Sequence, residues 1–232
     1  MRLDILVPVY EPHEKWAEEL INQYNQLITR LPGQLECSLI IVNDGSKRAL
    51  EGDAEKIMDA IEESTWHSYS ENRGKGYALR EAAKLSDGDY IMYTDYDFPY
   101  TYGSMELMIQ ELLKSEVDAV VGKRDDSYYG HISPRRKYIS KILKNVNKAL
   151  FHLPTEDTQC GLKAFSKKLK PLFLQTTTDR YLIDVEFLKI LARQNVNVAV
   201  QTVKLRRGVV LSKIGNLRLM KEMYSYFRIM LG

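Results

Sequence analysis

A chain of 232 residues, 44% hydrophobic and 28% charged, is long enough for one α/β domain with a sizeable core and short for two. Its formal net charge of +2 offers no global field for nucleic acid, and two cysteines, Cys37 and Cys160, make no disulfide scaffold. No charged-then-apolar leader precedes the first apolar run, and no stretch approaches the roughly 20 apolar residues of a membrane span, so a reducing, cytoplasmic setting with only peripheral membrane contact is expected.

Leu3 to Val9 is an apolar run broken by Asp4 and Pro8, the pattern of a buried parallel strand. Pro12 opens a helix in which Trp16, Leu20, Ile21, Tyr24, Leu27 and Ile28 recur at helical spacing until Pro32 and Gly33. Cys37 to Val42 predicts a second strand, closed by Asn43 to Ser46, whose residue types turn the chain and cap a helix from Ala49 to Ile61. Trp66 to Tyr69 suits a short strand, and Gly74 to Ala83 a helix entered through Gly74 and Gly76. Tyr90 to Tyr93 reads as strand, Met105 to Leu113 as helix, Ala119 to Gly122 and Leu162 to Phe165 as strands, Tyr181 to Ala192 as helix and Val196 to Val203 as a last strand. The alternation predicts a single three-layer α/β domain with a mostly parallel central sheet, over residues 1–232, with irregular material after Gly122.

Asp95 and Asp97 follow the Tyr90–Tyr93 run directly. In an extended chain residues i and i+2 share a side, so the two acids would converge on one spot at a strand end. Hard oxygen ligands there suit Mg²⁺ or Mn²⁺ carrying a phosphorylated ligand. A D-x-D triplet alone is weak, but ligands of open α/β sheets bind beyond the carboxyl ends of strands, where this pair belongs. At neighbouring strand ends, Pro8 and Tyr10 offer a wall for a base, Glu11 can accept from a ribose or base donor, and Asp44 from a base imide. Taken singly, these residues would only end a strand or cap a helix. Asn72, Arg73, Gly74, Lys75 and Gly76 form a Gly-rich basic entry to a helix, able to hold phosphate oxygens. It lacks the eight-residue Walker spacing, and no glycine follows the first strand as a dinucleotide fingerprint requires.

Four segments in this order resemble family 2 glycosyltransferases of the GT-A, Rossmann-like fold: Val7 to Glu11, Ile41 to Ser46, Asn72 to Gly76, and Asp95-Tyr96-Asp97 at the family's metal-binding D-x-D. A fifth, Asp157-Thr-Gln-Cys-Gly-Leu-Lys-Ala-Phe165, is similar to the D-T-Q-C-G-F-K-x-F signature of dolichyl-phosphate glucosyltransferases and their polyprenyl-phosphate relatives, with Leu162 in place of Phe. Asp184, Val185, Glu186 and Phe187 resemble the D-V-E-x segment of the same group. The resemblance implies a nucleotide-sugar donor, UDP-glucose, held through a divalent cation, with Asp157 at the acceptor. Asp184 and Glu186 are second choices for a catalytic acid; as acids at a helix start they also suit the dipole there.

Cationic groups point to the acceptor. Arg135, Arg136, Lys137, Lys141, Lys144 and Lys148 lie above an apolar face of Ile139, Ile142, Leu143, Val146 and Leu150, within a helical insertion over 123–156 that suits an anionic membrane surface. Arg206, Arg207 and Lys213 form a basic loop over the donor diphosphate, leading into an amphipathic C-terminal stretch within 204–232 that suits an interfacial anchor or a homo-oligomer contact. Gln159 and Lys163 border the sugar. A phosphate acceptor, already mostly dianionic at neutral pH, needs such cations and no strong base. The function expected is transfer of a hexose to a polyprenyl or dolichyl phosphate at the inner face of a membrane. Transfer to a sugar hydroxyl, with Asp157 as base, and a catalytically silent nucleotide-sugar or lipid binding module are the alternatives.

Overall fold

The expected apolar runs and period-3.6 segments fold as one sheet between two helical layers. The computed structural model of the protein describes residues 1–126, 128, 153–209 and 226. The described residues form strands β1 (Arg2–Val9), β2 (Glu36–Asp44), β3 (Ser64–Tyr69), β4 (Tyr90–Tyr93), β5 (Ala119–Arg124), β6 (Lys163–Ser166) and β7 (Val198–Val203). They also form helices α1 (Trp16–Ile28), α2 (Glu51–Ala60), α3 (Lys75–Leu85), α4 (Tyr102–Leu113), α5 (Lys170–Leu174) and α6 (Ile183–Arg193). The insertion expected over 123–156 and the C-terminal helix within 204–232 lie largely outside the described residues.

The strand order is β3-β2-β1-β4-β6-β5-β7. Every pairing is parallel except those of β6, which runs antiparallel to both β4 and β5. Side-chain alternation divides the core. Leu3, Ile5, Val7 and Val9 of β1 pack with Trp16, Leu20, Met105 and Met108 on one face, whereas Leu6 joins Leu79, Ala82, Phe173 and Phe187 on the other. Burying each of these large side chains contributes about 1.5–3 kcal/mol. Helix α1 begins at Trp16 and not at Pro12, and the Trp16 indole donates to Asp53 on α2 over 2.7 Å. The short helix α5 carries no period long enough to read, yet it delivers the buried Phe173 into a cluster with Tyr93, Phe165 and Phe187.

The topology fixes where a ligand can sit. β2 lies on one side of β1 and β4 on the other, so the connections diverge there and leave a crevice beyond the carboxyl ends. Register places Val9 against Asn43 and Leu6 against Tyr93, which brings the ends of β1, β2 and β4 to one edge. Because β6 is antiparallel, its first residue, Lys163, pairs with Tyr93, and the 157–162 segment enters at that same edge. The opposite edge has its own acid. Asp4 is fully buried and accepts from Ser38 Oγ, Gly88 N and Arg2 Nε. Burial alone would raise its pKa, but these bonds outweigh burial and lower it, as befits a structural carboxylate.

Candidate functional site

Beyond β4 the acid pair stands in a turn and not, as expected, in extended chain: Phe98 N donates to Asp95 O over 3.0 Å. Phe98 takes a positive φ of 43°, unusual for a residue with a side chain, while its ring is fully buried. Arg206 holds this turn. Its Nε donates to Phe98 O at 2.6 Å and its Nη2 to Asp97 O at 2.7 Å, so a guanidinium expected over the donor diphosphate instead grips the backbone of the acid turn. Arg207 lies in an exposed turn beside it. The intervening Tyr96 packs edge-on against Trp16, with ring centroids 6.1 Å apart. Asp97 is pushed up to about 6, by burial first and then by the Asp95 charge. Asp95 remains 43% exposed and accepts from Lys75 Nζ at 2.5 Å.

The residues expected to form a donor wall lie at the ends of β1 and β2, where several of them bond to protein groups. Tyr10 is 43% exposed at the end of β1, open for stacking, with Pro8 partly buried before it. Glu11 N donates to Ser46 Oγ, and Glu11 Oε1 accepts from Lys47 N, which joins the β1 end to the loop after β2. Asp44 is a hub. Its carboxylate accepts from Tyr69 OH, Asn72 Nδ2, Arg73 N and Gly74 N, all within 3.0 Å. Gly76 N and Tyr77 N donate to Asp179 O, which closes the start of α3. The Arg73, Gly74 and Gly76 amides are therefore committed to protein acceptors and not to a phosphate cradle; what the segment presents to the acid turn is the Lys75 ammonium. The glycines serve close approach: a Cβ at Gly74 or Gly76 would lie 2.4 Å from Asp179 O or 2.2 Å from Thr178 O. A cleft of about 440 Å³ opens beside the hub, between Ser46, Lys47, Arg48, Ser68 and Tyr69.

The acids expected at the acceptor are paired. Asp157 is buried; its Oδ2 accepts from Arg124 N and Nε at 2.8 Å, and its Oδ1 from Arg124 Nη2 at 2.5 Å. The guanidinium also lies 4.0 Å from the Tyr128 ring centroid. Asp184 and Lys163 form a second buried pair at 2.5 Å, with side chains 4% and 1% exposed, and Tyr93 OH donates to the same carboxylate. Lys163, expected beside the sugar, and Asp184, expected as a catalytic acid, thus hold β6 to α6. Glu186 is also occupied, accepting from Thr177 and Thr178 ahead of α6; burial would raise its pKa, but these bonds lower it. Gln159 is exposed at the edge. Arg135, Arg136 and Lys213 lie outside the described residues.

Two participants escaped the sequence reading. Arg124 ends β5 as one more cation after an apolar run, and only its position opposite the Asp157 segment marks it. Gly161 was legible as part of a motif but not for its contact: a Cβ there would lie 3.0 Å from Lys75 Nζ and 3.1 Å from Asp95 Oδ2. That contact brings the 157–165 segment directly against the acid turn.

The donor set fits a divalent cation. Two hard carboxylates stand close enough for one to raise the pKa of the other, and no group of three or more His, Cys, Asp or Glu side chains suited to a metal is found among the described residues. A metal held here would complete its shell with ligand oxygens, as Mg²⁺ does when one or two carboxylates and phosphates bind it.

Comparison with known proteins bears on the same regions. The sequence profile of glycosyl transferase family 2 matches residues 4–171. The chain is 24% identical over 216 residues to dolichyl-phosphate beta-glucosyltransferase of Dictyostelium discoideum, covering 85% of this chain and 64% of that protein. It is 23% identical to the enzyme of the same name from Saccharomyces cerevisiae, covering 84% and 64%. The chain thus spans less than two thirds of the length of these relatives. In fold it resembles glucosyl-3-phosphoglycerate synthase of Mycobacterium tuberculosis, solved with Mn²⁺, UDP and glucosyl-3-phosphoglycerate (TM-score 0.67, 17% identity, 99% of this chain and 78% of that one). It also resembles mannosyl-3-phosphoglycerate synthase of Rubrobacter xylanophilus (TM-score 0.71, 15% identity, 99% and 72%).

Proposed function

The chain belongs to glycosyl transferase family 2, and from that membership we propose that it transfers a hexose, glucose from UDP-glucose, with inversion onto a polyprenyl phosphate at the cytoplasmic face of a membrane. The observation that carries the reading is the meeting of the acid turn with the 157–165 segment across Gly161. Names of the relatives favour glucose and a lipid phosphate. Among the described residues no helix is long and apolar enough to cross a membrane. In this reading the basic residues of the 135–148 stretch and the apolar C-terminal residues meet the lipid.

In this reading Tyr10 stacks on the base, and Lys75 and the acid turn face the diphosphate. A divalent cation at Asp95 and Asp97 would supply charge neutralisation for the leaving UDP. An acceptor phosphate oxygen attacks the anomeric carbon on the face opposite UDP; its C–O bond forms as the bond to UDP breaks. No proton has to be removed, because a phosphate monoester with a second pKa of about 6 is mostly dianionic. The geometry around Asp157 favours such an acceptor. A carboxylate held through both oxygens by Arg124 is a poor base, which a sugar hydroxyl would require.

The test is incubation with a panel of nucleotide sugars, polyprenyl phosphate and Mn²⁺ or Mg²⁺. A metal-dependent lipid-linked hexose, formed best from UDP-glucose, is the expected product. No lipid-linked product from any donor would overturn the acceptor assignment.

A further inference from the structure

Asp95 already has a cation. The Lys75 side chain is only 12% exposed and its ammonium sits 2.5 Å from Asp95 Oδ1. The pair is walled on one side by Gly161, where even a methyl group would press on Lys75 Nζ and Asp95 Oδ2. Its helix is fixed at the start by Asp179 O, which accepts from Gly76 N and Tyr77 N, and by Arg80, which donates to Thr178 O and pairs with Asp179. The stem of Lys75 is thus anchored while its tip reaches the carboxylate. A lysine ammonium is cationic at neutral pH, and here it is held against the Asp95 carboxylate.

A divalent cation approaching Asp95 must share that carboxylate with the ammonium, and like charges so close repel. A diphosphate changes the balance, since its oxygens give the ammonium another acceptor. We propose that Lys75 is a resident counter-cation for Asp95, competing with the divalent metal until a nucleoside diphosphate draws the ammonium away, so that metal and diphosphate bind as a coupled pair. Without donor the site takes up metal weakly; with donor it takes up both. This rests on the transferase reading, because it needs a diphosphate as the second ligand. It adds that donor and metal affinities depend reciprocally on each other through one side chain.

The experiment measures Mn²⁺ binding by the loss of the free-ion electron paramagnetic resonance signal, with and without saturating UDP, for the wild-type protein, Lys75→Met and Lys75→Gln. Wild type is expected to bind Mn²⁺ much more tightly with UDP than without. Either variant should bind Mn²⁺ alone more tightly, by about one to three powers of ten, the scale on which a neighbouring charge shifts a carboxylate's affinity for a proton. The gain from adding UDP should shrink accordingly. The second variant keeps the test decisive if the first fails to fold. Wild-type protein that binds no Mn²⁺ even with UDP would overturn the transferase reading and this inference with it. Wild-type binding that is coupled to UDP, with the Mn²⁺ affinity of the variants unchanged or weakened in its absence, would overturn this inference alone.

Discussion

Asp97→Asn is expected to raise the melting temperature of the metal-free protein while reducing glycosyl transfer by about 10²–10³-fold. The two effects have one cause. Burial and the Asp95 charge lift the folded-state pKa of Asp97 to about 6, above the ordinary carboxylate value near ~4. The native state therefore holds a proton more tightly than the unfolded chain. Stability contributed by this group is full below about pH 4 and is lost as pH rises through about 6. At neutral pH the ionised side chain costs about 1 kcal/mol after solvent screening, which an uncharged amide removes. A chain of this length should then gain about 2–4 °C in EDTA near pH 7, and the gain should vanish near pH 4. A melting temperature that falls near pH 7 would show that Asp97 is structural and not held in tension for a ligand.

Arg124→Met is expected to destabilise the fold by about 3–5 kcal/mol, because the buried Asp157 would lose the guanidinium that donates to both of its oxygens. The loss follows from where the charges sit. Arg124 supplies three bonds to one carboxylate from the end of β5, and its pKa is raised well above the ordinary value: burial opposes the charge, but Asp157 more than offsets it. Replacing both groups with apolar ones, as in Arg124→Met combined with Asp157→Leu, should restore most of the stability, since neither member of this pair is left buried without the other. Chemical denaturation of the three variants measures this directly. A double variant as unstable as Arg124→Met would mean that the pair is not the source. The outcome also bears on the acceptor. A residue whose removal acts through stability is a counter-ion, whereas a base would leave stability nearly intact and abolish turnover.

The parts of this site differ in how far they could be read from the chain. Strand β1 is legible as a short continuous apolar run and helix α1 by its helical period, and the acids after β4 are legible because a strand end in such an alternation is where ligands bind. The local geometry of those acids was not. Extended chain predicts convergence by alternation, but a turn, with Phe98 at positive φ and Arg206 on its carbonyls, places them instead. Partnerships are harder still. Asp44 caps a loop about 30 residues on, Asp157 pairs with Arg124 33 residues before it, and Gly76 is needed because Thr178 and Asp179 lie against it. Nothing local distinguishes a carboxylate that will face a ligand from one that will face an arginine. The two motifs naming Asp157 with Lys163, and Asp184, were legible, yet hydrogen bonding decides that they hold the edge of the sheet together around the acid turn.

In the proposed function, Asp95 and Asp97 hold a nucleoside diphosphate through a divalent metal. Calorimetric titration of the wild-type protein with UDP, in Mn²⁺ and again in EDTA, tests it most directly. Binding is predicted in Mn²⁺ with its loss in EDTA; equal affinity for UDP in both would contradict the account.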